Sequence, residues 1–327
     1  MNRRQGLAAL FALGWIPATR LAARDRVPRI GYLSLGSITE TPSRERQAFL
    51  DGLRDFGLAP GKSVEMVYRS AEGEATFLRA MYEDLLRENV DVVATVGGRA
   101  TLAAVASSRS VPIVFLALGD PVGIGVTDSV ARPTRNATGT TFISSELAGK
   151  RIELLKLAVP AAKRVAFLWE QLNRNAQIEA DSARATAESV GLSSRALPVN
   201  SQAELNAALA RLAERPPDAM YVCFAAGVIS ANRTAIVEFG LRHRVPVISG
   251  WSFMTDAGGL LSYAPDVLAM FRRSAYYVAR ILDGASPAEL PIEQATKIEL
   301  VVNVDTARKL GLTLPPDLLL RADRVIE

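Results

Sequence analysis

Gly97-Gly98-Arg99 follows the apolar run Val92 to Val96 and opens a helical stretch. Backbone N–H groups left unpaired at such a turn, together with the helix dipole, favour an anion. Arg99 adds a planar fork of donors that matches a carboxylate. The competing reading is an ordinary tight turn with a solvated arginine, and the spacing fits neither a phosphate-binding loop nor a dinucleotide fingerprint. Gly119-Asp120-Pro121 also ends an apolar run, so Asp120 is expected either to accept from an amine or hydroxyl or to cap its own turn. Trp169, Trp251 and Tyr263 fall at strand ends or at a crossing between lobes. As a group they suit stacking on an aromatic or apolar solute, although each alone would also serve as interface packing. Ser34, Ser37 and Asn173 lie in neighbouring loops and would add hydrogen bonds, and the Ala225-Ala226-Gly227 loop completes the set.

Other chemistry is excluded by what is scarce. The 327 residues hold one cysteine, Cys223, and one histidine, His243. A disulfide framework is therefore impossible, and a His/Cys zinc site or a Cys–His nucleophilic pair nearly so, since the pair would need the one residue of each type to meet. Cys223 sits in the apolar Tyr221-Val222-Cys223-Phe224 and reads as a small buried hydrophobe. His243 falls at a helix end remote from the loops above, as a surface or capping residue. No acidic spacing matches a known metal motif, so neither metal nor cofactor is expected. Glu170 and Asp120 could form a catalytic pair only in a glycosidase-like scheme. With 38 Lys+Arg against 34 Asp+Glu, the net charge of +4 implies no nucleic-acid partner.

These residues need a scaffold, and its elements are legible. Strand-like runs at Arg29 to Leu33, Val64 to Tyr68, Asp91 to Gly97 and Val111 to Leu116 alternate with helical stretches of ten or more residues. That alternation predicts parallel sheets covered on both faces. The pattern then repeats: Arg29 to Leu33 reappears as Arg164 to Leu168, a spacing of 135, and Val111-Pro112 as Val245-Pro246, a spacing of 134. Asp91 recurs as Asp218 in the same position before a strand. Two similar Rossmann-like α/β lobes follow, with 49% hydrophobic residues to fill their cores. Lobes of this kind bind outside the carboxyl ends of their strands, so two facing each other enclose a cleft. Joining segments near 139–142, 260–265 and 298–303 predict a three-segment hinge. The expected division is 28–139 plus 265–297 for the N-terminal lobe and 140–264 plus 298–327 for the C-terminal lobe. Residues 1–27 read as a cleaved export signal, with Arg3-Arg4 ahead of an uncharged run too short to span a bilayer. No cysteine stands there to carry a lipid anchor.

Several stretches are similar to one bacterial family. They include Gly119-Asp120-Pro121-Val122-Gly123, the Arg132 to Gly139 segment, Gly149 to Lys156, Ala257 to Tyr263, Asp283 to Pro291, Thr296 to Asn303 and Leu318 to Glu327. In order and content they resemble the ABC transporter substrate-binding proteins of the TrpX-like type, from about Arg29 to the end. The resemblance implies a type I periplasmic binding fold, with a solute captured between two lobes and delivered to an ABC permease in the inner membrane. Some members of the family are linked to aromatic amino acids and many have no assigned ligand; with the leader and the Arg99 turn, the expectation is a periplasmic monomer with no catalytic residue, taking an amino acid or other carboxylate, aromatic ones included. Two positions depart from the family's habit. Gly98-Arg99 stands where Thr-Pro or Ser-Pro is frequent, and Trp251-Ser252-Phe253 where an Arg-Glu pair is frequent, so the ligand is not carried over. The rival reading, a two-lobe α/β enzyme such as a glycosyltransferase, needs a nucleotide-phosphate loop or a cleft base, and neither is evident. A sugar-repressor-like sensor needs a DNA-binding headpiece, for which the segment before Arg29 is too short.

Overall fold

The run Arg29–Ser34 (β1) is apolar enough to be buried on both faces, and Ser43 starts the helix Arg44–Asp55 (α1) by accepting the Arg46 N–H at 3.2 Å. Gly57, at φ 74°, lets the chain turn out of that helix. A computed structural model describes residues 26–327 apart from 108–109, 134 and 225–226. Most of the export signal expected over 1–27, and the Ala225-Ala226 pair, lie outside the described residues. From α1 the chain continues through β2 (Glu65–Ser70), α2 (Leu78–Arg87), β3 (Val92–Val96), α3 (Gly97–Ser107), β4 (Ile113–Leu118) and β5 (Ala137–Thr141). It then enters a second unit made of α4 (Ser144–Ala158), β6 (Arg164–Glu170), α5 (Arg174–Ser189), β7 (Ser193–Val199), α6 (Gln202–Glu214) and β8 (Ala219–Val222). That unit goes on through α7 (Val228–Ala231), α8 (Arg233–Arg242), β9 (Val247–Ser249), α9 (Ser252–Asp256) and β10 (Leu261–Pro265). Helix α10 (Val267–Leu282) and β11 (Glu293–Gln294) return to the first unit; β12 (Ile298–Asn303), α11 (Val304–Leu310), α12 (Pro316–Leu320) and β13 (Arg324–Ile326) end in the second.

Among the described residues the strands form a six-stranded sheet, β11-β5-β4-β3-β1-β2, and a seven-stranded sheet, β13-β12-β10-β9-β8-β6-β7. The segments β4-β3-β1-β2 and β9-β8-β6-β7 have one order, which is the structural meaning of the repeat. The paired aspartates do the same work in both: Asp91 accepts the Arg29 N–H at 2.8 Å and Asp218 the Arg164 N–H at 2.9 Å, each fixing the start of a central strand. All pairings are parallel except β10 with β12. There the chain leaves the second sheet at Pro265 and re-enters beside it at Ile298, so the two strands must run in opposite directions. The chain thus passes between sheets three times, after β5, after β10 and before β12. Each sheet is packed on both faces, the first by Ile30, Phe49, Leu53 and Val278 on one side and Leu33, Leu78, Tyr82 and Phe115 on the other.

Helices α1 and α10 pack side by side over the first sheet. They approach so closely at Gly52 that a Cβ there would overlap the Arg272 carbonyl oxygen and lie 3.0 Å from Ala275 Cβ. Gly52→Ala is therefore expected to cost about 1–3 kcal/mol, the usual range for overpacking, despite the better helix propensity of alanine. Urea unfolding measures it; an unchanged or higher midpoint would show that the helices can separate freely.

Candidate functional site

The carboxyl ends of β1, β3, β8 and β9 face one another across a cleft of about 230 Å³. Tyr32, Ser34, Ser37, Thr39, Arg46 and Val96 form its first wall, Phe271 of α10 its base, and Ser230, Trp251 and Phe253 the opposite wall. Pockets for drug-sized ligands run to about 300–1,000 Å³, so this one suits a smaller solute. The opposite wall is aromatic. Trp251 stacks on Phe224 with centroids 4.1 Å apart and planes 16° apart, and lies 4.9 Å from Phe253. Phe142 meets Trp251 edge-on at 6.5 Å. The Trp251 indole N–H is buried without a hydrogen-bond partner.

On the facing wall Tyr32 and Tyr68 meet edge-on at 5.7 Å, and the Arg46 guanidinium lies 5.5 Å from the centre of the Tyr68 ring. Burial pushes the Tyr68 phenol above its ordinary value, against the pull of Arg46. Ser37 donates to Glu72, and the Ser37 and Ser70 hydroxyls hold the Glu72 carboxyl below its ordinary value.

Beside this pocket the two units touch directly. Asn175 at the start of α5 accepts the Asp120 N–H at 2.8 Å, and the Arg174 guanidinium donates to the Gly123 carbonyl at 3.2 Å. A Cβ at Gly119 would lie 2.6 Å from Asn175 Cγ, so a side chain there would displace Asn175, and one at Gly98 would lie 3.0 Å from its Nδ2, a tight contact. Arg99 faces Glu170 across the same junction at 3.7 Å. Glu170 Oε1 also accepts the N–H groups of Gly227 at 2.9 Å and Ile229 at 3.1 Å.

Several residues picked out by position alone are placed elsewhere. Trp169 is 4% exposed, and its indole N–H donates to Gln177 at 2.9 Å. Side chains alternate along a strand, so Trp169 shares with Val165 and Phe167 the face of β6 that packs under α4 and α5. Asp120 spends its carboxylate on the N–H groups of Val122 and Gly123, at 3.1 and 2.8 Å, and caps its own loop. Asn173 caps α5 by accepting the Ala176 N–H at 3.4 Å. Tyr263 packs against the second core, and its carbonyl takes the Arg151 Nε–H at 2.7 Å. Arg99 meets the chain's own Glu170 where a solute carboxylate was expected, and Gly97 and Gly98 open α3 beside that pair. Ser34, Ser37 and Trp251 line the cleft. His243 ends α8 with its ring 4.5 Å from Phe239.

Arg46 was not among the expected residues, yet a signal for it exists. Arg46, Phe49, Leu50 and Leu53 follow the i, i+3, i+4, i+7 spacing of one helix face, so the arginine sits on the apolar stripe of α1. A cation there has to be buried or to face a ligand.

Burial pushes the Glu170 carboxyl above its ordinary value, with the Ile229 N–H, Arg99 and the Gly227 N–H pulling the other way. A carboxyl whose folded-state pKa is raised holds its proton longer in the native chain. Stability therefore falls as pH rises from the unfolded value, about 4.3, through the folded one. Glu170→Gln keeps an oxygen for Gly227 and Ile229 and has no proton to lose. Its melting temperature minus that of the wild type is expected to grow more positive as pH rises across that window. A difference that grows more negative would mean that the charge pair with Arg99 outweighs burial.

The family model described as ABC transporter substrate binding protein matches residues 36–326. The "Tyrosine-binding protein" of Clostridioides difficile (strain R20291) is 21% identical over 283 residues, 86% of this chain and 81% of that protein. A conserved domain protein of Vibrio cholerae O1 biovar eltor superposes with a TM-score of 0.85 at 25% identity, covering 92% of this chain and 100% of the other. An ABC domain from Streptococcus pneumonia, solved in complex with L-Trp, has a TM-score of 0.84 at 24% identity, with the same coverage.

Proposed function

The chain belongs to the family of ABC transporter substrate-binding proteins, and from that premise we propose that it is a periplasmic receptor of an import system. It captures a small carboxylate solute, an aromatic amino acid in the first instance, and presents the closed form to an ABC permease. The observation that carries this reading is the cleft at the carboxyl ends of both sheets, with Trp251 and Phe253 on one wall and Trp251 held in place by its stack on Phe224. Relatives named for tyrosine and solved with L-Trp support an aromatic solute.

Ser34, Ser37, Trp251 and Phe253 contact the solute in this account, while Arg99, Glu170 and Asn175 hold the closed junction. Closure bends the hinge between a lobe of 28–139 plus 265–297 and one of 140–264 plus 298–327. Preference for the closed state by a few kcal/mol is enough, and a handful of buried polar contacts supplies it. No bond of the solute is broken. Glu170 and Asp120, the carboxylates a glycosidase-like scheme would need, are both engaged by the protein's own N–H groups. The protein works as a monomer exported by its N-terminal signal.

A thermal-shift panel of amino acids, aromatic acids, other small carboxylates and sugars tests the proposal, because a solute bound only by the folded chain raises its melting temperature. Aromatic amino acids are expected to give the largest shifts. A panel without any shift, or turnover of a bound solute, would overturn the reading.

A further inference from the structure

We propose that Arg46 is the anion anchor of the cleft and decides that its solute must carry a carboxylate. The inference rests on the binding-protein reading above and names the group that selects its ligand. Two arginines are buried among the described residues, Arg46 at 6% exposure and Arg151 at none. Arg151 is neutralised by Glu179 at 2.9 Å. Arg46 has no carboxylate within ion-pair distance among the described residues; its guanidinium donates through Nη2 to the carbonyls of Thr39 and Glu40, and Tyr68 faces its charge. All these partners are neutral, and Nε is buried with no partner at all.

Removing a cation from water costs several kcal/mol unless an opposite charge accompanies it. A buried guanidinium whose partners are all neutral, on the wall of a cleft between two lobes, is thus suited to pair with an anion; Glu45 is the one carboxylate of the same lining and makes no ion pair with it among the described residues. The planar fork suits a carboxylate, and the carbonyl contacts pre-set its orientation, so little side-chain freedom is lost on binding. Arg99, the other arginine of the junction, already faces Glu170. Trp251 lines the opposite wall, and its indole N–H is likewise buried without a partner.

The test is calorimetric titration of the signal-free chain with acid–amide pairs: L-tryptophan and L-tryptophanamide, L-tyrosine and L-tyrosinamide, indole-3-acetate and indole-3-acetamide. The wild type is expected to prefer the acid by about 10- to 100-fold, the range of a hydrogen bond to a charged group. Arg46→Met should remove that preference by weakening the acid alone, and Arg46→Lys should restore part of it. Arg99→Met should weaken acid and amide by one factor, since it acts on closure. If Arg46→Met does not fold, Arg46→Lys and the wild-type acid-to-amide ratio carry the test. Acid preference surviving Arg46→Met overturns the proposal, as does equal binding of acid and amide by the wild type, and in both cases the binding-protein reading stands. Response only to uncharged solutes such as sugars likewise overturns it alone; no response to any solute overturns both.

Discussion

Glu179→Ala is expected to cost the second lobe about 3–5 kcal/mol, the range measured when one partner of a buried ion pair is removed. Glu179 and Arg151 are both fully buried and 2.9 Å apart. The carboxylate also accepts from the Tyr221 hydroxyl at 2.8 Å, the Ser144 hydroxyl at 2.6 Å and the Phe224 N–H at 2.9 Å. Those donors come from β8, the start of α4 and the loop after β8, while Arg151 reaches the Tyr263 carbonyl on the strand that leads into the hinge. Alanine at 179 would take the acceptor from three neutral donors and leave the Arg151 charge without a counter-charge in a site closed to water, although Arg151 keeps the Ser144 carbonyl and the Tyr221 hydroxyl as acceptors. Gly250 packs against the guanidinium, where a Cβ would lie 2.8 Å from Cζ, so Arg151 has no room to swing away. Urea unfolding followed by the second-lobe tryptophan signal measures the loss. The double replacement Arg151→Met with Glu179→Leu should recover part of it, because no charge is then left unpaired while the three neutral donors still lack the carboxylate. A loss below about 1 kcal/mol for Glu179→Ala would mean that water reaches the pair. Since Phe224 stacks on Trp251, the same variant should also weaken solute binding.

Trp251→Ala is expected to reduce solute affinity by about 2–4 kcal/mol, or roughly 30- to 1,000-fold, as befits an aromatic anchor in a well-packed pocket. The indole is held on one face by Phe224 and flanked by Phe253 and Phe142, so its position is set before a ligand arrives. Alanine would remove the stacking surface and let Phe224 relax into the space. Trp251→Phe, which keeps a ring and loses the N–H, should retain most of the affinity. Titration calorimetry on the two variants measures the difference. Equal affinity of wild type and Trp251→Ala would mean that the solute sits elsewhere.

The fold class was readable because it depends on patterns that repeat many times. Alternating apolar strands and helices imply parallel sheets, and recurrence of Arg29 to Leu33 as Arg164 to Leu168 reflects the common order of β1 and β6 in their sheets. The antiparallel β12 was not readable, since its direction follows from where the chain re-enters beside Pro265. Individual site residues depend on one side chain's direction. Trp169 and Glu170 are neighbours at the end of one strand, and alternation alone sends the first into the core and the second to the junction. Asp120 and Asn173 stand at suitable loops, but short polar side chains satisfy nearby N–H groups before they reach a cleft. Arg46 lies in the first turn of a helix and not at a strand end, so only its place on the apolar stripe of α1 marks it in the sequence.

The central claim is that the cleft holds one small solute and leaves it chemically intact. Equilibrium dialysis of the signal-free chain with the most stabilising member of the thermal-shift panel, followed by mass spectrometry of the recovered solute, tests this most directly. One solute per chain is expected, returned unchanged, with binding largely lost in Trp251→Ala. Binding that does not saturate, binding indifferent to Trp251→Ala, or recovery of a converted product would contradict it.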